Sequence, residues 1–596
     1  MKRKSHNTGA LRRVAPRADW RGLWRISRVP LAVCTLAFLV YSRSFLNGFV
    51  RDDHLQIVSN PQVQSWDRLP EILTSHLWSH AGTREVLFYR PLFSLWMLII
   101  HTLGGLSPWF WHLSSAALHV ACTYLVYRLA KQLIGSNLGS VAAAAIFAVH
   151  PIHVDAVGWV SASNELLFTL LMLAALLVLM APRAKAAGWP VVVSALLFFA
   201  GLFAKETGVA MIVLLVVAAR IRLKDRHREI ELWAMAVGPY LLAAGTWLTI
   251  RWLVLHGAGI ENGEHTWREV CFSAPSILLF YLGKLAVPLK LSGGYVNPIY
   301  ASPASQFLLP LAVGLVILLL ATWLTVRHNW LIGFSAALIL LPLLPALVAI
   351  RLYPQGDMTH DRYLYLPSVG FCLLAGLFVG WLWMKSRAMA VATGGVAAAL
   401  LITFCVLTFA QQRFYHDDIA FLQREIDVNP RNAYAYALLG NVEMDDVRTD
   451  VALEHYRIAA RLAPDDPKIN LFLARGLFAK RQYSEAEEVL SRLAARKDFD
   501  TNRQNAILLS LANVEISLGK MDAAGSLLQQ VERSDSHFPE LHWALGVLYQ
   551  KEGRVPEAQK EYEEEYQSTG DEAARQQSIV LSKQILSRGS TGGTQF

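Results

Sequence analysis

Two hydrophobic patterns divide this chain. Between residues 30 and about 410 the apolar positions come in long runs, among them 30–49, 166–181 and 307–326. Such runs approach the roughly 20 residues that carry a helix across a hydrocarbon core of about 30 Å. Beyond 411–416, charged residues alternate with small apolar ones, as in amphipathic helices that pack on one another. The pattern predicts an all-α protein: a multi-span transmembrane domain followed by a soluble helical unit. Its boundaries read as a basic tail (1–29), the membrane domain (30–411), a connecting helix (412–430), a repeat region (431–570) and a C-terminal helix with a flexible tail (571–596).

Basic residues set the expected orientation. They collect in the N-terminal tail and at 128–131, 182–185, 220–229, 326–328 and 384–387. The positive-inside rule puts all of these in the cytoplasm. Eleven spans satisfy it: 30–48, 109–130, 140–157, 164–181, 189–204, 207–221, 230–255, 306–326, 331–350, 362–384 and 388–410. An odd count places the C-terminal part outside. Two further apolar stretches, 91–106 and 274–289, then have to lie along the outer face rather than cross. The first span lacks a small-residue cleavage signature before Asp52 and reads as uncleaved.

The last third repeats with a period of 34 residues. Tyr436, Leu439, Gly440, Ala452, Tyr456, Ala459 and Pro464 fit the tetratricopeptide pattern, and Leu545, Gly546, Tyr549, Ala558 and Tyr562 a later copy. Weaker copies run through Leu473, Ala474 and Ala486, then Ala512, Ala524 and Leu528. Such arrays stack helix pairs into a concave surface that binds extended peptides or protein partners.

Composition adds little to this division. The formal net charge of +9 lies mostly in the N-terminal tail and short cytoplasmic loops, where topology and anionic lipid heads account for it, so a nucleic-acid partner is not expected. Cys34, Cys122, Cys271, Cys372 and Cys405 are isolated, without CxxC spacing, and read as packing residues.

On the assigned topology one face gathers RDDHLQIVSNPQVQSW, FYRPL, HPIHVDAVGWVSASNE, AKETG, GGYVNPIY and RLYPQGDMTHDRYLYLPSVG. Acids, histidines, tyrosines and cations converge there, while the cytoplasmic loops offer only basic residues. That asymmetry suits transfer of a sugar from a lipid-linked phosphate to an acceptor outside. The chemistry needs a carboxylate to take the acceptor's proton and fixed cations to hold the departing phosphate. Asp52 or Asp53 supplies the first; alternatively they are solvated loop acids or helix caps. Arg90, Lys205, Arg351 and Arg362 supply the second, against a plainer reading as interfacial side chains, with Lys205–Glu206 a structural ion pair.

The succession FVRDDHLQIVSNP, YRPLF, HPIHVDAVGWVSASNELL, FAKETGV and RYLYLPSVGF, followed by the repeats, resembles the TMTC family, transmembrane and tetratricopeptide-containing protein O-mannosyltransferases. The resemblance runs from about residue 30 to the end. It implies a GT-C glycosyltransferase fold, a polyprenyl-phosphate sugar as donor and a catalytic acid in the first outer loop. Carried over by motif, it makes Asp52 the general base, Asp53 its neighbour and Asp155 the acid of the second loop, where family members often have Glu. Tyr363 and Tyr365, beside Arg362, would line the donor pocket with Arg90, Lys205, Glu206 and Arg351. His150 and His153, with Pro151 between them, fit no zinc spacing and favour hydrogen bonding or capping near that pocket. A divalent ion shared by Asp52 and Asp155 stays open.

The expected protein is thus a membrane sugar transferase that moves mannose or another hexose to a hydroxyl, Ser or Thr of a protein. Its repeats would present the acceptor. The alternative is a noncatalytic scaffold or transporter that uses the repeats for assembly. Short loops and a compact repeat region point to a bacterial inner membrane, with the N-terminus in the cytoplasm and the repeats in the periplasm.

Overall fold

The computed structural model describes residues 28–81, 88–181, 188–223, 229–256, 265–353, 357–496 and 499–591. Most of the basic N-terminal tail, the basic loop at 182–185, part of that at 220–229 and the extreme C-terminus lie outside these residues. Helices dominate, and the described residues contain no strand. A bilayer suits this, because a helix satisfies each backbone N–H and C=O within its own segment.

The first half contains α1 (Arg28–Val40), α2 (Leu69–Thr74), α3 (Pro91–Gly104), α4 (Pro108–Leu133), α5 (Asn137–Val149) and α6 (Val154–Gly158). They are followed by α7 (Ser163–Met180), α8 (Trp189–Leu202), α9 (Ile212–Leu223), α10 (Glu229–Val254) and α11 (Trp267–Ala286). The bundle closes with α12 (Ser305–Arg327), α13 (Trp330–Ala346), α14 (Ala349–Leu352), α15 (Pro367–Trp383) and α16 (Arg387–Gln411). Local signals fix many of the starts. Pro91, Pro108 and Pro367 each open a helix where no N–H is needed, Ser136 and Asn329 cap α5 and α13, and Thr266 with Glu269 forms a capping box on α11.

Seven segments are long and apolar enough to cross a membrane, and an eighth is gained if α5 and the bent segment Pro151–Gly158 count as one. Four of the eleven expected spans, matching α4, α8, α9 and α15, are not among them. The reasons are physical. α8 and α15 have only 14 and 17 residues, and α9 only 12. α4 has 26, but carries His112, Ser115, His119 and Thr123 on its buried side. Conversely, α11 meets the test although its sequence was read as lying on the outer face.

The contacts of α11 separate length from direction. Before its first turn, the His265 N–H donates to the Arg351 carbonyl at 3.3 Å and Arg351 donates back to the His265 carbonyl at 2.9 Å. At its last turn, the Leu285 carbonyl accepts from His150 Nε2 at 3.1 Å. Arg351 follows the C-terminal end of α13, and His150 follows that of α5. Both ends of α11 therefore meet segments that emerge from C-terminal helix ends. The start of α3 also meets a C-terminal helix end, where the Leu92 N–H donates to the Phe203 carbonyl after α8, while its own end is tied to the start of α4 by Trp111 donating to the Gly105 carbonyl. α12 buries none of its residues in the protein, as a helix facing lipid does.

A connecting helix, α17 (Asp418–Val428), leads to four helix pairs: α18 (Ala433–Asp445) with α19 (Thr449–Leu462), α20 (Pro467–Ala479) with α21 (Tyr483–Ala494), α22 (Thr501–Ser517) with α23 (Met521–Ser534), and α24 (Leu541–Lys551) with α25 (Val555–Thr569). A final helix, α26 (Glu572–Thr591), packs on α25. The repeat spacing has a direct packing cause. Tyr456 is fully buried between Gly440 and Gly476, where an added Cβ would stand 2.6 and 2.7 Å from its ring. Tyr562 uses Gly546 in the same way. Cys122 and Cys372 are buried as packing residues, Cys34 and Cys405 are half-buried, and Cys271 on α11 is exposed, against the expectation for it.

Candidate active site

The chain leaves α1 through a tight turn in which the two adjacent acids part company. Asp53 is fully buried. Its carboxylate accepts the Val50 N–H at 3.2 Å, the Ser161 N–H at 2.7 Å and the Ser161 hydroxyl at 2.5 Å. Burial pushes its carboxyl up to about 7, against the pull of those same hydrogen bonds. Successive residues on a helical turn point in different directions, so with Asp53 turned toward Ser161 its neighbour Asp52 faces a cavity. Arg51, just before it, takes a φ of +54°, and its guanidinium lies 3.5 Å from Asp357.

The cavity has a volume of about 720 Å³. Asp52, Arg90, Lys205, Glu206, Arg362 and Tyr363 line its polar side, and Trp247, Leu248, Pro342 and Pro345 from α10 and α13 form an apolar wall. Two of its cations are already neutralised. Arg90 forms a fork on Glu206 at 2.8 and 2.6 Å, and Lys205 pairs with Glu165 of α7. Burial would raise the Glu206 carboxyl, but Arg90 holds it below the usual range. For Lys205, burial outweighs Glu165 and lowers the ammonium.

Arg362 is held differently. Its guanidinium lies over the Trp159 ring at 4.3 Å and near that of Tyr363 at 5.6 Å, with no ion pair to a carboxylate among the described residues. Its backbone N–H donates to Asp155 Oδ2 at 2.8 Å, while Asp155 Oδ1 accepts the Tyr415 hydroxyl at 2.9 Å. Asp155 therefore stands behind Arg362 rather than in the cavity wall.

Four other sequence candidates sit outside that wall. His150 donates to Leu285 and accepts the Ile152 N–H, which makes it a cap. His153 donates to the Ser368 hydroxyl at 2.7 Å, and Tyr365 bonds to His119 at 2.7 Å, both within a buried aromatic cluster around Phe147. Arg351 stacks on Trp267 at 5.2 Å beside α11. The donor set does not favour the shared divalent ion, because both Asp155 oxygens are engaged and, among the described residues, no third ligand completes a group with Asp52. Among the described residues the one group of three potential ligands is His542, Glu561 and Glu564 on the repeats. There His542 Nδ1 stands 2.7 Å from Glu561, as an imidazolium ion pair does.

Sequence reasoning assigned no role to Arg51, Trp159, Glu165 or Asp357, although each lies in or beside a quoted motif. Glu165 carried a usable signal: an acid in the first turn of an apolar helix needs a cation nearby.

Comparison with known proteins agrees with both halves. A tetratricopeptide repeat-like domain model matches residues 465–584 and a tetratricopeptide repeat model 408–467. Protein O-mannosyl-transferase Tmtc1 of Drosophila melanogaster is 25% identical over 514 residues, covering 69% of this chain and 58% of that protein. Human protein O-mannosyl-transferase TMTC3 is 22% identical over 590 residues, covering 88% of this chain and 62% of that protein. The chain thus spans about three-fifths of the length of these curated relatives. Among solved structures, ArnT from Cupriavidus metallidurans bound to undecaprenyl phosphate aligns with 14% identity and a TM-score of 0.34, over 78% of this chain and 80% of that one. The archaeal oligosaccharyltransferase AglB from Archaeoglobus fulgidus aligns with 11% identity and a TM-score of 0.37, over 70% and 60%. Over most of its length this chain is similar to the TMTC protein O-mannosyl-transferases, the group its motifs resemble.

Proposed function

We propose that this chain is a GT-C type membrane glycosyltransferase that moves a hexose, mannose in the first instance, from a polyprenyl-phosphate carrier to a Ser or Thr hydroxyl of a protein. One observation carries the reading: a carboxylate, Asp52, lines the same half-apolar cavity as Arg362, whose guanidinium makes no ion pair among the described residues. The relatives' printed name supplies the sugar and the acceptor class. In the step proposed, the acceptor oxygen attacks the anomeric carbon, its proton passes to Asp52, and the bond from that carbon to the phosphate oxygen breaks. Arg362 holds the charge that builds on the departing polyprenyl phosphate. Lys205 and Arg90, already neutralised by Glu165 and Glu206, shape the pocket around it. The lipid chain lies along Trp247, Leu248, Pro342 and Pro345.

The rival scaffold or transporter reading has less support. Transport calls for a polar path through the spans. The charged groups instead gather at one end of the bundle, and the polar residues inside α4 are engaged locally: His119 bonds to Tyr365 and Ala148, and Thr123 to His119.

The same reading places the site on the outer face of a bacterial inner membrane, with α3 and α11 along the surface, a cytoplasmic N-terminus and periplasmic repeats. Ser568→Cys in a Cys271→Ser background should react with a membrane-impermeant maleimide in spheroplasts. Reaction only after lysis would contradict this placement.

Purified protein incubated with polyprenyl-phosphate mannose should add a hexose mass to acceptor protein. Asp52→Asn should slow that transfer by on the order of 100-fold or more with donor binding retained. Asp53→Asn should slow transfer less than Asp52→Asn does and also lower thermal stability, since it loosens the turn that carries the base. Full activity in Asp52→Asn would remove the base.

Arg362→Gln should raise the donor concentration needed for half-maximal rate by at least about tenfold, as loss of a charged phosphate contact does, and leave acceptor affinity unchanged. Arg351→Gln, outside the cavity, should leave donor use as in the wild type. Equal effects of the two changes would argue against the assigned phosphate site.

A further inference from the structure

The Asp52 turn has two anchors, and only one belongs to the membrane bundle. On the bundle side Ser161 holds Asp53. On the other side stands Asp418, in the first turn of α17, the helix that leads into the repeats. Asp418 Oδ1 accepts the Arg51 N–H at 2.6 Å, and Asp418 Oδ2 meets His54 Nε2 at 2.9 Å. The two residues it holds flank the Asp52–Asp53 pair. Arg51 needs such a hold, because its φ of +54° lies in the left-handed region, which is strained for a residue with a Cβ.

The capping of α17 does not occupy Asp418. Asp417 does that work, accepting the Ala420 N–H at 2.8 Å. Neighbouring bonds join the same two segments: the Gly48 N–H donates to the His416 carbonyl at 2.9 Å, Asn47 Nδ2 to the Gln412 carbonyl at 3.1 Å, and the Ser44 N–H to Gln412 Oε1 at 2.8 Å. At the start of the repeats, Tyr434 of α18 lies 5.9 Å from the Arg51 guanidinium.

We propose that Asp418 is a positioning residue for the Asp52 carboxylate, so that the helix carrying the repeat array also sets the aim of the general base. This rests on the assignment of Asp52 given above. Loss of the Asp418 carboxylate frees Arg51 from its left-handed turn and lets Asp52 swing away from the anomeric carbon. The contacts that hold Arg362, with Trp159, Tyr363 and Asp155, are untouched.

The test uses the full-length protein, polyprenyl-phosphate mannose and a protein acceptor. Asp418→Ala should lower kcat by about 100-fold, the scale of a displacement near 1 Å at a reacting group, with the donor KM unchanged. Asp418→Asn, which keeps an oxygen for the Arg51 N–H, should restore most of that loss. Asp417→Ala, which removes the α17 cap, should lower thermal stability and leave kcat in place. Should Asp418→Ala fail to fold, Asp418→Glu, which displaces the acceptor by one methylene, should show the same loss of kcat at constant KM. Wild-type kcat in Asp418→Ala, or in Asp418→Glu where that variant replaces it, alongside an inactive Asp52→Asn would overturn the positioning role and leave the base assignment standing. So would equal loss of kcat in Asp417→Ala, or an Asn variant as impaired as the Ala variant. An active Asp52→Asn would instead remove the base assignment itself.

Discussion

A carboxylate taken out of water has to be given donors, and the turn after α1 can give them to only one of its two acids. Asp53 receives three, from Val50 and Ser161, and disappears into the protein. That burial fixes the turn, and the turn leaves Asp52 on the cavity side. Much of the site follows from the arrangement. The segment around Ser161 also carries Trp159, the platform under Arg362, and runs into α7 with Glu165, the partner of Lys205. The stretch from Trp159 to Glu165 thus supports both the acid turn and the cations of the cavity.

The electrostatics of the cavity are nearly balanced without substrate. Buried ions are expensive unless paired, and the pairs Arg90–Glu206, Lys205–Glu165 and Arg51–Asp357 meet that requirement. Arg362 is stabilised instead by the faces of Trp159 and Tyr363 and positioned through its own backbone by Asp155. On the proposed reading this division has a use: the paired ions shape the pocket, and the guanidinium held by aromatic faces is the one with charge to offer a phosphate.

Much of this architecture was legible in the chain. The 34-residue period announced the repeats because paired helices approach closely at small residues: Tyr456 sits on Gly440 and Gly476, Tyr562 sits on Gly546, and Ala474 and Ala512 hold the equivalent places in the middle copies. The apolar runs announced the bundle, α4 included despite its buried histidines, but the direction of α11 could not be read from its length. The first-loop acids were visible as a costly pair, and the cations as isolated charges beside apolar runs. The pairings were not visible. Glu165 and Lys205 are 40 residues apart, Arg90 and Glu206 are 116 apart, and Arg51 meets Asp418 across 367. Helix phase decided the remaining differences. His150, His153, Tyr365 and Arg351 lie in the same motifs as the cavity residues but turn toward capping, aromatic packing and α11.

On this account Asp52 and Arg362 face one reacting centre in the same cavity. The direct measurement is a cryo-electron microscopy structure of the full-length protein with a non-transferable polyprenyl-phosphate sugar. The account requires the phosphate against the Arg362 guanidinium, the lipid along α10 and α13, and the anomeric carbon open to an acceptor oxygen within hydrogen-bonding reach of Asp52. A phosphate bound elsewhere, or one in the cavity with Asp52 turned away from the sugar, would contradict it.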